Sequence, residues 1–175
     1  SVPEPAEISQ PPLVLLLPGS RRGELARHLP VIAEAASRIG SAATVRFRMV
    51  LPNESLRELA LQQLAPEHRE RIEIQIGGLG DSLRAAAVAI ASTGTVTMEC
   101  AYFGVPTVAL YKTSWSTFQI GKRIIQVRFL AMPNLLADEA IFPEFVQDDA
   151  TAANLADATL ALLNNPERRR VVKAK

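Results

Sequence analysis

Cysteine, histidine and aromatic residues are scarce in this 175-residue chain: one Cys, two His, one Trp, two Tyr and six Phe. A lone Cys100 allows neither a disulfide framework nor a cysteine-based metal site, and it fits a reducing compartment, where a small buried residue is its expected role. His28 and His68 lie far apart in helical, charged surroundings. They are expected on the surface, with no metal site and no histidine base between them. No stretch reaches the roughly 18 consecutive apolar residues of a membrane-spanning helix, and the start lacks the pattern of a signal peptide. A net charge of +1, with no basic run and no aromatic-rich ribbon, gives no reason to expect nucleic acid as a partner. What remains, 48% hydrophobic and 21% charged, is ordinary globular composition with length for one core.

Residues 1–12 carry four prolines and few large apolar side chains, which is linker composition. The globular domain is expected over 13–165, and residues 166–175 read as the start of a basic helix that stops without a cap. Both ends suggest a piece of a longer protein. Between them, strands are read at 13–17, 44–50, 72–76, 87–91 and 106–110, the second alternating Val45, Phe47 and Met49 with Arg46 and Arg48, and these alternate with helical spacing: Leu25, Leu29, Ile32, Ala36 and Ile39, then Glu54 to Leu64, then Val96 to Phe103, then Thr151 to Leu163. Pro30 falls inside the first of these helices, where it either kinks the helix or marks its true first turn. Strands alternating with helices predict a three-layer α/β/α, Rossmann-like parallel sheet, in which strand 13–17 lies beside strand 87–91 at the switch in strand order.

In such sheets ligands lie beyond the carboxyl ends of the strands, and three turns here sit at such ends. The central stretch is Ala87 to Tyr111, strand, turn, helix, turn, strand. Its turn Ser92-Thr93-Gly94-Thr95 leads into a helix whose unpaired N–H groups and dipole favour an anion such as phosphate. Glu99 lies one helical turn on, on the face of Thr95, placed to accept from a pair of sugar hydroxyls. The plain alternative is that Thr93 and Thr95 cap the helix and Glu99 is a solvated charge. Gly19-Ser20-Arg21 follows the first strand, where Gly19 can take positive φ and Arg21 offers a forked donor to phosphate; a plain turn with a solvated arginine pair is the alternative. Gly77-Gly78-Leu79-Gly80 follows the third strand and lets the backbone approach a flat ligand, with Asp81 or Ser82 capping the next helix.

Lys112 to Phe129 contains Lys112, Lys122, Arg123 and Arg128 with Trp115, Phe118 and Phe129 and no acid. Such a segment either faces an anionic membrane surface or packs as a core helix with a basic edge, and the second is favoured. Residues 131–165 then hold six acids and no Lys or Arg.

The stretches LLLPGSRRGELARHLP, ASTGTVTMECAYFGVPTVALYK and STFQIGKRIIQVRFLAMPNLLADEAIFPEFVQDDAT, in this order, resemble the C-terminal domain of the lipid-A-disaccharide synthase family. Gly19, Ser20, Arg21 and Glu24 meet its first motif, Gly94, Thr95 and Glu99 its second, and Pro133 to Ala137 its third, which is the most specific. Thr93 stands where serine is usual and keeps the hydroxyl. Lys112 replaces a usual arginine and loses its fork, and Arg22 stands where a small residue is common.

The resemblance implies the donor lobe of an inverting, metal-independent GT-B glycosyltransferase that requires no cofactor. The expected ligand is UDP-2,3-diacylglucosamine, transferred to 2,3-diacylglucosamine 1-phosphate. The diphosphate would lie on Gly19 to Arg21 and Thr93 to Thr95, the uracil against the Gly77, Gly78 and Leu79 backbone, and the ribose hydroxyls on Glu99. Lys122, Arg123 and Asn134 are further donors to the departing UDP. The general base and the lipid acceptor's site belong to an N-terminal domain outside this chain, so the chain alone is expected to bind without turnover. The implied location is cytoplasmic, peripheral at the inner membrane face, with weak membrane contact and a homodimer both compatible. Two rival readings are a UDP-N-acetylglucosamine 2-epimerase, whose turn usually carries paired glutamates where Cys100 here follows Glu99, and a non-catalytic nucleotide-sugar-binding module.

Overall fold

Five consecutive buried apolar residues, Leu13–Leu17 (β1), form a strand covered on both faces, the signature of a parallel sheet packed between helices. The computed structural model describes residues 11–124 and 128–174, the side chains at 115, 122–124, 169 and 173 excepted. The residues expected as a linker therefore lie, apart from Pro11 and Pro12, outside the described residues. After β1 come α1 (Arg22–Ala42), β2 (Arg46–Leu51), α2 (Glu54–Gln63), α3 (Pro66–Arg71) and β3 (Ile72–Ile76). Then follow α4 (Leu79–Ala85), β4 (Ala86–Ser92), α5 (Thr95–Tyr102), β5 (Thr107–Tyr111) and α6 (Trp115–Ile124). The last elements are α7 (Met132–Ala137), β6 (Glu144–Val146), a 3-10 turn at Gln147–Asp149, α8 (Ala152–Leu163) and α9 (Pro166–Ala174).

The sheet order is β3-β2-β1-β4-β5-β6, with every pairing parallel. β1 pairs with β4, as the alternation of elements led us to expect: Leu15 lies opposite Ala89 and Leu17 opposite Ala91. The two-residue period of a strand divides the core between the faces. Val14, Leu16, Ile90, Val108 and Leu110 pack under α1 and α8, while Leu13, Leu15, Leu17, Ala89 and Ala91 meet Leu83, Cys100, Val105 and Phe142 on the other side. This is a three-layer α/β/α sandwich.

Some expectations are corrected. Pro30 lies inside α1, which starts at Arg22, so it does not mark the first turn. β6 was not anticipated: three residues are too few for periodicity, and its place depends on β5, with Pro143 O accepting from Ala109 N at 2.8 Å. The cap of α4 is Gly78, not Asp81 or Ser82. Ser82 is buried and its Oγ accepts from Arg48 at 3.2 Å and from Gln75 at 3.2 Å. Neither histidine is a free surface residue. His28 is fully buried, and half-buried His68 places Nε2 3.1 Å from Ser37 Oγ.

Candidate functional site

The turns after β1, β3 and β4 open into one cleft of about 550 Å³ at the carboxyl end of the sheet. In the first, Gly19 has φ 126°, and a Cβ there would strike the Glu24 side chain, so glycine is required both by conformation and by space. The chain then enters α1 at exposed Arg21, which caps the helix in extended conformation with no side-chain capping bond. Glu24, in the first turn, also lines the cleft.

The second turn continues the sheet by one bond, Thr93 N to Leu110 O at 3.0 Å, and then breaks at Gly94 (φ 142°, ψ −162°), a region open essentially to glycine alone. Gly94 is the cap of α5, and no side chain caps that helix. The reading of Thr93 and Thr95 as capping hydroxyls therefore does not hold. Thr97 instead donates its hydroxyl to Gly94 O at 2.6 Å, which stiffens the turn from behind. Thr93, Gly94, Thr95, Val96 and, one turn further, exposed Glu99 line the cleft.

The third turn uses two left-handed glycines, Gly77 (φ 68°) and Gly78 (φ 67°). Gln75 Nε2 lies 2.8 Å from Gly77 O and 3.4 Å from Gly78 O, holding both carbonyls back toward the strand. Gly77 and Leu79 line the cleft; Gly78 is exposed and does not.

Thus Gly19, Ser20, Arg21, Gly77, Leu79, Thr93, Gly94, Thr95 and Glu99 come together, whereas Gly78, expected with them, does not line the cleft. Asn134 is elsewhere. Fully buried, it donates to Phe142 O at 2.7 Å and Glu144 Oε1 at 2.8 Å and accepts from Phe142 N at 2.8 Å, which leaves it no place in the cleft. The side chains of Lys122 and Arg123 lie outside the described residues. The cleft also takes Val50, Leu51 and Pro52 from the end of β2, residues that motif reading missed. Their signal was only that β2 neighbours β1, which a linear pattern does not state.

Electrostatically the cleft combines uncapped N-termini of α1 and α5, the Arg21 guanidinium and the carboxylates of Glu24 and Glu99. Helix N-termini and arginine attract a diphosphate, and carboxylates accept from hydroxyl pairs. Beneath the first turn, His28 is pushed below its ordinary pKa of 6.5, chiefly by burial. Cys100 is buried and its thiol is pushed up to about 12, mainly by desolvation, so it is no nucleophile at neutral pH. Among the described residues no three His, Cys, Asp or Glu side chains gather to hold a metal, and no helix is long and apolar enough to cross a membrane.

The fold is shared with GT-B glycosyltransferases. E. coli ADP-heptose LPS heptosyltransferase II superposes with TM-score 0.61 at 15% identity, covering 89% of this chain and 47% of that one. Spinosyn rhamnosyltransferase SpnG, solved with thymidine diphosphate, gives 0.63 at 15%, covering 99% and 44%. TarM of S. aureus, solved with UDP among its ligands, gives 0.61 at 10%, covering 99% and 33%. Sequence relatives are more specific. Lipid-A-disaccharide synthase of Solibacter usitatus is 38% identical over 165 residues, 93% of this chain and 42% of its own length. That of Nitrosococcus oceani is 36% identical over 161 residues, 91% and 41%. The chain thus spans about two-fifths of the length of these curated relatives. The family model described as lipid-A-disaccharide synthetase matches residues 7–175, and with relatives above one-third identity over nine-tenths of the chain, this protein belongs to that family.

Proposed function

We propose that this chain is the donor-binding lobe of a lipid-A-disaccharide synthase, holding UDP-2,3-diacylglucosamine for transfer to 2,3-diacylglucosamine 1-phosphate. The observation that carries this reading is the meeting of the Gly19 to Arg21 and Thr93 to Thr95 turns in one cleft with Glu99 at its rim. The diphosphate lies across the two uncapped helix starts, with exposed Arg21 as its cation. The uracil meets the backbone at Gly77 and Leu79, and Glu99 accepts from the ribose hydroxyls. As the glycosidic bond to UDP breaks, negative charge grows on the departing phosphate. Helix N–H groups already oriented there stabilise it without reorganising. Arg123 is a further donor to the departing UDP, whereas the Asn134 amide is taken up by Phe142 and Glu144. The general base and the acceptor's site belong to a partner lobe outside this chain, so this chain binds UDP and does not turn over.

Isothermal titration of UDP against the chain and its Glu99→Gln form is the test. A carboxylate accepting such bonds contributes about 1.5 to 3 kcal/mol, so the variant should bind roughly ten- to a hundredfold more weakly. Equal affinities in two folded proteins would leave Glu99 a solvated helix charge. Absence of UDP binding at millimolar concentration by either form would remove the donor-site reading for the isolated chain.

A further inference from the structure

β4 lies between β1 and β5, so no ladder bond can join the carboxyl ends of those two outer strands. One side chain does. His28, on α1 one turn after Glu24, is fully buried, with Nδ1 2.8 Å from Pro18 O and Nε2 3.0 Å from the backbone N of Lys112. Pro18 immediately follows β1 and precedes Gly19; Lys112 immediately follows β5. The imidazole therefore spans the end of β4, where the Thr93 to Thr95 turn departs. The partners decide its state. A carbonyl can only accept and a peptide N–H can only donate, so the ring is neutral with its proton on Nδ1. A second proton on Nε2 would face the Lys112 N–H, and that bond would be lost.

We propose that His28 is a positioning residue for the phosphate-binding turns: its neutral imidazole holds the Gly19 to Arg21 backbone in register with the end of β5, and protonation releases it. This rests on the donor-site reading above. The charges that bear on the ring are Glu24, on its own helix, and Lys112, from the end of β5. β1 and β4 bring no ionisable side chain, β5 ends in Tyr111, α2, packed on α1, brings Glu54, Arg57 and Glu58, and α8, also packed on α1, brings only exposed Asp157. Glu24 favours the charged ring and Lys112 opposes it, while burial, the largest influence, keeps it neutral. Nucleotide affinity is therefore coupled to a proton that never touches the nucleotide.

The test compares the chain with His28→Gln and His28→Leu, titrating UDP from pH 5 to 8. UDP's own terminal phosphate takes up a proton in this range. The variants carry that background, and the difference between profiles is the readout. The wild-type chain should lose affinity more steeply on acidification than either variant. At pH 7.5 His28→Leu should bind about tenfold more weakly, with partial rescue in His28→Gln, which keeps a neutral hydrogen-bonding group. Parallel profiles with equal affinity at pH 7.5 in folded variants would overturn the proposal, leaving His28 as packing. The unliganded chain supplies a readout independent of UDP. The backbone amide signals of Gly19, Ser20 and Arg21 should shift on acidification with the same midpoint as that of Lys112, and this coupling should vanish in His28→Leu. A Lys112 amide that titrates while the Gly19 to Arg21 amides stay still would overturn the proposal, whether or not UDP binds; a wild-type chain that shows the coupled shift but binds no UDP overturns the donor-site reading instead.

Discussion

His28 shows how burial changes what a residue type does. On an exposed helix face it would titrate near its ordinary 6.5; here desolvation lowers that value. Between the lowered value and 6.5 the unfolded chain holds more protons than the folded one, so stability rises with pH in that window. The contribution is fully present above about pH 6.5 and is lost as pH falls toward the folded value. Urea unfolding from pH 7.5 to 5 should therefore show a declining free energy whose slope is shallower in His28→Gln. An identical slope would mean other groups carry the acid sensitivity.

At the scale of elements, the short segments after β5 are held by side chains as well as by ladders. Gln147 accepts from Thr113 N at 2.7 Å and donates to Thr113 O at 3.1 Å, fixing the chain just beyond β5. Glu144, at the start of β6, accepts from Leu130 N at 2.8 Å and Ala131 N at 2.9 Å, drawing in the start of α7. Asn134 completes that clamp, so the Pro-Asn-Leu-Leu-Ala segment is placed by a structural amide. Asn134→Ala strands a buried N–H and C=O of Phe142, and the expected loss is about 2 to 3 kcal/mol in chemical denaturation. UDP affinity below the unfolding transition should not change. A weakened affinity with undiminished stability would return Asn134 to the ligand.

Across the whole molecule, six of the eight exposed large apolar side chains among the described residues fall between 98 and 136: Met98 and Tyr102 of α5, Ile120 of α6, Leu130, and Leu135 and Leu136 of α7; Ile76 and Val171 are the other two. Exposed Arg128, two residues before Leu130 in the chain, lies 5.1 Å from the Phe129 ring centroid and 4.0 Å from Asp138. Apolar side chains with basic residues close by suit an anionic bilayer surface. The chain is expected to cosediment weakly with anionic vesicles at low salt and to dissociate as salt screens the attraction. No cosedimentation at low salt would leave the segment around α6 as packing alone.

The layered sheet and the three turns were legible because they are local. A buried parallel strand is an apolar run, as LVLLL and AAVAIAS are, and glycines that take positive φ mark the three turns at Gly19, Gly77 and Gly94. Their positions along the chain, combined with the handedness and switch-point rules for parallel sheets, placed β1 beside β4 and the cleft beyond them. What depended on distant partners was not legible. β6 exists because β5 offers an edge; Asn134 is buried because Phe142 and Glu144 surround it; and Gln75 reaches both Gly77 O and Gly78 O, a contact no linear pattern states. His28 sits at a helical position like any other until the fold brings Pro18 and Lys112 to its two nitrogens. Periodicity records which face of an element is buried, whereas the partner of a polar atom across more than eighty residues is decided only when the chain has packed.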